Sequence, residues 1–306
     1  MKFFKSILIL IAFATSTFAQ KAEIEQLMQS ARKGEQYKGS TKAIYNIKNE
    51  RKVSNLLYAY YTDTLPQVRS SAFGIVVSIG KKSENKEIRV EAINILAQAC
   101  LYKDNLSVSK AVKSLKYFNK DEFSDDAKKA ILKAVLSEPP YLKDFVMLAG
   151  FLQLNKSAQY LKNQIREGKI NKTNKWKTYV ALARMGDQEA IDYITARLKN
   201  MPKVNDDIVY ELIPDLIFTR SHEVYEFITK ILYDDKKNCH PANPEKTNKI
   251  LCGYRVMEFL APVVIGFPYK QTTSGDLDTK NYDKALQDVR KWFLENQDFQ
   301  LVMDVY

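Results

Sequence analysis

The residues best suited to chemistry stand in one stretch, Cys239-His240-Pro241, with Cys252 some distance beyond. Two thiols and an imidazole could supply three ligands to a zinc ion, or one thiol and the imidazole could form a catalytic pair. The spacing matches no standard zinc finger, and adjacent side chains seldom face each other well enough for proton transfer. The polar segment between the cysteines, which contains Pro244, is typical of a loop. It therefore favours a disulfide between Cys239 and Cys252 over either alternative.

Other catalytic motifs are missing from the sequence. The chain has two histidines, His222 and His240, and no Gly-x-Ser-x-Gly motif that would present a serine nucleophile. It has no His-Glu-x-x-His motif, regular calcium loop or glycine-rich phosphate loop. Asp206 and Asp207 stand at the start of a predicted helix, where carboxylates stabilise the positive helix end, so we interpret them as structural. The sequence predicts no catalytic residues, no metal and no cofactor.

Aromatic and charged residues offer candidates for binding a partner. Tyr58 and Tyr61 are three residues apart in a predicted helix and share one face, while Tyr60 points elsewhere, so we expect at least one of the three to be exposed and available for binding. The alternative is that these tyrosines fill the seams between helices. His240, Arg255 and Glu258 lie in the C-terminal section, which forms either a surface-exposed binding loop or a cap on the preceding helices.

The elements that must position these residues are helices. Apolar residues recur three and four apart through nearly the whole chain after residue 20, in short blocks with polar breaks, and no alternating strand pattern stands out. The pattern predicts an all-α protein. The predicted helices cover about 21–33, 41–62, 65–80, 86–102, 105–118, 124–137, 140–153, 156–167, 173–185, 188–200, 204–218, 221–233, 245–264 and 280–297.

Polar residues recur at corresponding points between these blocks. Asn155, Asp187 and Ser221 each follow a helix end and precede a new apolar stripe, which predicts that each one caps a helix. One helix pair cannot bury such a stripe alone, so neighbouring pairs must stack on each other. We therefore predict a right-handed α-solenoid of stacked antiparallel helix pairs.

Three segments carry a resemblance to a known family. Residues 179–191, Tyr-Val-Ala-Leu-Ala-Arg-Met-Gly-Asp-Gln-Glu-Ala-Ile, resemble the HEAT-like repeats of the phycobilisome-lyase type. Residues 66–72 and 85–92 look like the second helix of ordinary HEAT repeats, since each has an aliphatic-Arg pair followed three residues later by Ala. The resemblance covers about residues 48–233, and the helix lengths would also suit armadillo or tetratricopeptide arrays.

The resemblance implies a scaffold that presents a helical face to a protein or polymer. It also implies that Arg69 and Arg89 form structural bonds between repeats, with Asp63 as a possible partner of Arg69.

The first twenty residues differ from the rest of the chain. Lys2 and Lys5 precede an apolar stretch over 7–13, and Thr-Phe-Ala at 17–19 stands before Gln20. This pattern is typical of a cleaved signal peptide, so we expect a periplasmic or secreted protein with no membrane span in the mature chain. Loss of the two lysines lowers the formal charge from +11 to +9, which favours anionic partners. Export makes nucleic acid a poor candidate.

These patterns lead to one functional hypothesis and one alternative. We expect an exported helical-repeat scaffold that recognises a protein or an anionic polymer through its repeat surface. The alternative is an exported enzyme with an unrecognised site in the C-terminal section. The expected organisation is a signal peptide over 1–19, N-terminal capping helices over 20–47, HEAT-like repeats over 48–238 and a C-terminal non-repeat loop with capping helices over 239–306.

Overall fold

The computed structural model describes residues 20–39, 50–201, 203–241, 245 and 247–306. The predicted signal peptide and the first part of the predicted helix 41–62 lie outside the described residues. Within them the prediction of an all-helical class is confirmed. The helices are α1 (20–33), α2 (Glu50–Tyr61), α3 (Pro66–Lys82), α4 (Lys86–Ala99), α5 (Asn105–Leu115), α6 (Asp125–Leu136), α7 (Leu142–Phe151), α8 (Ala158–Arg166), α9 (Lys172–Arg184), α10 (Gln188–Lys199), α11 (Ile213–Thr219), α12 (His222–Leu232), α13 (Gly253–Leu260) and α14 (Tyr282–Glu295).

The chain divides into two compact units, Met1–Phe145 and Val146–Tyr306, and the division falls inside α7. In the first unit α3 packs against α4 and α5, and α4 packs against α5 and α6. In the second unit α9 packs against α10 and α11, α10 against α12, and α11 against α12 and α13. Helices α3, α4, α9 and α11 therefore contact both the next helix and the one after it, whereas α10, among the helices that follow it, packs mainly against α12.

Polar side chains cap many of these helices. Asn85, Asp104 and Ser124 each accept a hydrogen bond from a backbone N–H in the first turn of α4, α5 and α6. Asp187 does the same for α10 by accepting from the N–H of Ala190 at 3.0 Å, which confirms that predicted cap.

The other two predicted caps behave differently. Asn155 opens a 3₁₀ turn (Asn155–Ser157), and α8 begins only at Ala158, so that prediction is wrong. Ser221 stands at the start of α12, but its hydroxyl donates to the Glu223 carboxylate at 2.6 Å and does not cap the helix.

Two arginines make the same type of contact one helix apart. Arg69 Nη1 donates to the backbone carbonyl of Asp63, and its Nη2 lies 2.6 Å from the carboxylate of Asp104. Arg89 Nη1 donates to the carbonyl of Ser83 at 2.9 Å, and its Nε donates to Glu122 at 2.6 Å. Each guanidinium thus ties the loop before its own helix to an acid on a later element.

Two predicted helices are wrong in part. In the block predicted over 204–218, Ile208–Leu212 form a π-helical segment ahead of α11. Pro214 lies in the first turn of α11, and it lacks the backbone N–H that a continuous α-helix would need there. In the block predicted over 245–264, α13 begins only at Gly253. Before it, β2 (Ile250–Leu251) pairs antiparallel with β1 (Lys237–Cys239). Strands this short show no alternation in the sequence.

No helix among the described residues combines the length and the apolar character needed to cross a lipid bilayer.

Candidate functional site

Cys239 and Cys252 form the predicted disulfide, which joins β1 to the residue before α13. Because both sulfur atoms are bonded to each other, neither is available as a zinc ligand or a nucleophile. Over the described part of the chain, no three His, Cys, Asp or Glu side chains are grouped to hold a metal ion. The disulfide therefore has a structural role, since it fastens the two-stranded hairpin to α13.

His240 lies on the surface beside this disulfide. Its side chain is 61% exposed, and its Nδ1 lies 2.5 Å from the Asp206 carboxylate, which also accepts from the His240 backbone N–H at 3.0 Å. Burial raises the pKa of Asp206, but the hydrogen bonds from His240 lower it below its usual range. The pair fixes the hairpin to the start of the π-helical segment and leaves the imidazole open to water.

Arg255 and Glu258 are buried and bonded to each other. Arg255 Nη1 donates to both carboxylate oxygens of Glu258 at 2.9 and 3.0 Å, and the Tyr282 hydroxyl donates to the same carboxylate at 2.7 Å. Burial and this hydrogen bond raise the pKa of Tyr282 to about 12. Arg255 and Glu258 therefore brace α13 against α14. Both residues are largely buried, so their role as partner-binding residues stays a prediction that their position does not support.

Of the two predicted binding tyrosines, Tyr58 is exposed and Tyr61 is buried. The Tyr58 side chain is 75% exposed, whereas Tyr61 is 7% exposed and stacks on Phe73 with ring centroids 5.8 Å apart. Tyr61 thus fills the seam between α2 and α3, which is the alternative role predicted for these tyrosines, and its role in binding stays a prediction. Tyr58 remains available to a partner.

A further surface, which the sequence did not reveal, combines three lysines with two tyrosines. Lys81 Nζ lies 4.1 Å and Lys116 Nζ 5.4 Å from the centroid of the Tyr117 ring. Lys113 Nζ lies 5.2 Å from the centroid of the Tyr141 ring. Tyr117 is 54% exposed, and all three lysines are exposed. We call these five residues the basic aromatic cluster.

The helix ends explain how this cluster forms. Lys81 lies in the last turn of α3, Lys113 lies in the last turn of α5, and Lys116 follows α5 directly. Cations are favourable there because the last carbonyls of a helix carry partial negative charge. α3 and α5 pack against each other, so residues 35 positions apart meet at Tyr117.

The charge of the basic aromatic cluster is not neutralised within the described residues, where none of the three ammonium groups forms an ion pair with a carboxylate. In the sequence this cluster corresponds to Lys81-Lys82 and to the segment Lys-Ser-Leu-Lys-Tyr at 113–117. Neither segment indicates that the two lie next to each other in the folded protein. A flat ring flanked by mobile ammonium groups can hold an anionic partner in water.

No protein-family model matches the chain, and no curated protein is significantly similar to it. The fold and the surface define the structural class of the protein: it is mainly helical, with a disulfide-bonded hairpin and an exposed basic aromatic cluster.

Proposed function

We propose that this chain is an exported helical-repeat binding protein that holds an anionic polymer on the basic aromatic cluster. The observation that carries the proposal is the set of ammonium groups around the exposed Tyr117 ring, which have no carboxylate partner among the described residues. Each exposed charge contributes little by itself in water, but several that act on one polymer add their contributions.

Two observations support a HEAT-like repeat arrangement within each unit. Several helices contact both the next helix and the one after it, which is the contact pattern that stacked helix pairs produce. Arg69 and Arg89 occupy the fourth position of successive helices and make matching bonds to a preceding carbonyl and a later acid. The resemblance implies structural bonds for these two residues, but it makes both helices the second of a HEAT pair, whereas here they follow each other directly.

Export is supported by the disulfide and by the pattern of the first twenty residues. Disulfides persist in oxidising compartments and are rare in the cytosol, so the Cys239–Cys252 bond fits a periplasmic or secreted protein. Removal of residues 1–19 would leave Gln20 at the start of the mature chain. Mass spectrometry of the protein from the extracytoplasmic fraction tests this, and a retained N-terminus in that fraction would contradict cleavage.

Binding is favoured over catalysis by the state of the C-terminal section. His240 pairs with a single carboxylate on an exposed surface, and the buried Arg255 and Glu258 bond to each other. An enzyme active site usually gathers titratable groups in a concave pocket shielded from water. These groups instead hold secondary-structure elements together.

The proposal is tested by reversing the charges of the two lysines nearest to the Tyr117 ring. The double variant Lys81→Glu/Lys116→Glu is compared with Lys199→Glu/Lys230→Glu, two exposed lysines that also lie in last helical turns. Titration with an acidic polysaccharide, polygalacturonate, should show at least tenfold weaker binding for the first variant, or about 1.4 kcal/mol. The control should bind within a factor of about two to three of the wild type, because its lysines lie elsewhere.

Equal losses in both variants would show that only net charge matters and would overturn this site. A parallel titration with polyglutamate identifies the class of partner. Binding of polyglutamate alone, with the same dependence on Lys81 and Lys116, would assign the surface to an acidic protein segment.

A further inference from the structure

Residues 299–306, which we call the strap, run as an extended segment across the second unit. The backbone N–H of Ile265 donates to the carbonyl of Gln300 at 2.9 Å, and the N–H of Val302 donates to the carbonyl of Val263 at 2.9 Å. These bonds flank an antiparallel bridge between Val264 and Leu301. The strap is therefore bound through its main chain along one edge.

Two arginines bind the strap from the other elements of the unit. Arg220 Nε donates to the carbonyl of Val302 at 2.8 Å. Arg184 Nη2 donates to the carbonyls of Met303 at 2.9 Å and Val305 at 3.3 Å. Both arginines thus contact main-chain oxygen atoms, which every amino acid provides.

Aromatic residues fix the two ends of the strap. The Tyr306 ring lies 5.6 Å from the ring of Phe151 and 5.0 Å from that of Phe218, measured between centroids. The Phe299 ring lies 5.2 Å from that of Phe293. Between these anchors Met303 is 40% exposed and Leu301, Val302 and Val305 are half-buried, so no side chain in the middle of the strap is fully enclosed.

The two guanidinium groups are buried without a carboxylate partner among the described residues. Arg184 is 2% and Arg220 7% exposed, and the N–H groups at Arg184 Nε and Arg220 Nη2 meet no hydrogen-bond acceptor in the described part of the chain. Burial and, to a lesser extent, the neighbouring charge of Arg220 together lower the pKa of Arg184 to about 9. Buried cations of this kind stabilise a fold less than apolar side chains of the same size would, which points to a role in binding.

We propose that Arg184, Arg220 and the surrounding aromatic residues form a binding site for an extended peptide, and that the strap is its built-in, exchangeable occupant. The ligand is a segment of another protein with aromatic residues seven positions apart, as Phe299 and Tyr306 are, and with little restriction between them. Main-chain hydrogen bonds supply affinity and the two aromatic anchors supply specificity, as in other sites that add an extended strand. Residues 294–298, which precede the strap, are exposed and allow it to leave without disturbing α14.

Release of the strap can be measured on the folded protein. A protease site replaces the exposed turn at Gln297 and Asp298 in the full chain, and cleavage follows folding. We expect the cleaved strap to stay bound and to exchange with a labelled peptide of sequence Phe-Gln-Leu-Val-Met-Asp-Val-Tyr, while circular dichroism stays unchanged. Arg184→Lys and Arg220→Lys should each release the peptide at least about tenfold faster. Arg166→Lys, a surface arginine of the same unit, should not.

Changes in the peptide test the anchors separately. Replacement of the residue corresponding to Tyr306 by Ala should weaken binding about tenfold or more, whereas replacement of that corresponding to Met303 should have little effect. Loss of the strap only together with unfolding of the unit would overturn the proposal. Formation of a dimer through exchanged straps would overturn the foreign ligand and place a second copy there.

A measurement on the uncut wild type covers the case in which the modified chain does not fold. Hydrogen exchange of the Ile265 and Val302 amides should be faster than that of core amides such as Val256, and the two should exchange together. Exchange of both only by global unfolding would contradict an exchangeable strap.

Discussion

At the scale of single residues, arginine and lysine have different roles in this protein. Arg69 and Arg89 are partly buried and hold acids and carbonyls in a fixed geometry, whereas Lys81 and Lys116 project into water around a tyrosine ring. A planar guanidinium can satisfy several acceptors at once, while an ammonium group on a flexible chain remains strongly hydrated. The arginines therefore stabilise the fold, and the lysines remain free to bind.

Replacement of Arg69 tests this structural role. Arg69→Ala leaves the mostly buried Asp104 carboxylate without its cation and the Asp63 carbonyl without that donor, so we expect a loss of about 2–3 kcal/mol in the free energy of unfolding. Urea denaturation measures it. Lys86→Ala removes a surface ion pair with Asp121 and should cost about 0–1 kcal/mol. Similar losses in the two variants would contradict the distinction.

The same ion pair predicts a dependence on pH. Burial raises the pKa of Asp104, but hydrogen bonds from Ser107 and Arg69 lower it below the unperturbed value of 3.8. A carboxyl group with a lowered pKa in the folded state adds stability above its unfolded pKa, and this is lost as the pH falls through the folded pKa. The stability difference between wild type and Asp104→Asn should therefore be constant near neutral pH and shrink below about pH 4. Urea midpoints measured across pH 2–7 test this, and a difference that stayed constant over the whole range would contradict the assignment.

At the scale of elements, one close approach of two helices depends on glycine. A Cβ atom at Gly150 in α7 would lie 2.9 Å from both the Cα and the carbonyl oxygen of Ala181 in α9. Because the obstacle is backbone, the helices would have to separate, and we expect Gly150→Ala to destabilise the protein by about 1–3 kcal/mol. Thermal unfolding would show a lower midpoint.

Gly253 provides the control for this substitution. Its nearest obstacle is the flexible end of Leu286, 3.3 Å away. Gly253→Ala at the start of α13 should be neutral or stabilising, since alanine favours a helix more than glycine does. Equal destabilisation at both positions would show that the backbone contact at Gly150 is not the cause.

Most helices could be predicted because their signals are local. Apolar spacing and a cap such as Asp187 depend on neighbouring residues, and the structure confirms both. The hairpin of β1 and β2 could not be predicted, because its strands of three and two residues are fixed by pairing and by the disulfide. The spacing of apolar residues along a short segment does not reveal contacts between segments that are distant in sequence.

The candidate site was predicted less well for the same reason. Arg255 and Glu258, three residues apart, indicate an ion pair, but only the packing of α14 with Tyr282 shows that the pair is buried. Tyr58 and Tyr61 share a helix face, and Phe73 decides which of them is covered. Exposure depends on tertiary neighbours, so residue type and spacing alone could not separate binding residues from structural ones.

At the scale of the whole molecule, the excess of positive charge can be traced to lysines that lack acidic partners. The chain has 47 Lys and Arg against 36 Asp and Glu, a formal charge of +11. Acids near Arg69, Arg89 and Lys162 are engaged in ion pairs, whereas Lys81, Lys113 and Lys116 have no such partner among the described residues. Charge of this kind attracts an anionic polymer at a distance, and the local arrangement determines where the polymer is held.

Salt separates these two contributions. Binding of polygalacturonate should weaken as salt rises from 50 to 200 mM. The Debye length, about 10 Å at 0.1 M, shortens, and counterions compete for the polymer. Each lysine in direct contact adds to the slope of log K against log salt, so Lys81→Glu/Lys116→Glu should reduce the slope as well as the affinity. Lys199→Glu/Lys230→Glu lowers the net charge equally but should leave the slope nearly unchanged. Isothermal titration at four salt concentrations measures all three proteins, and equal slopes for the two variants would mean that the polymer has no fixed position on the basic aromatic cluster.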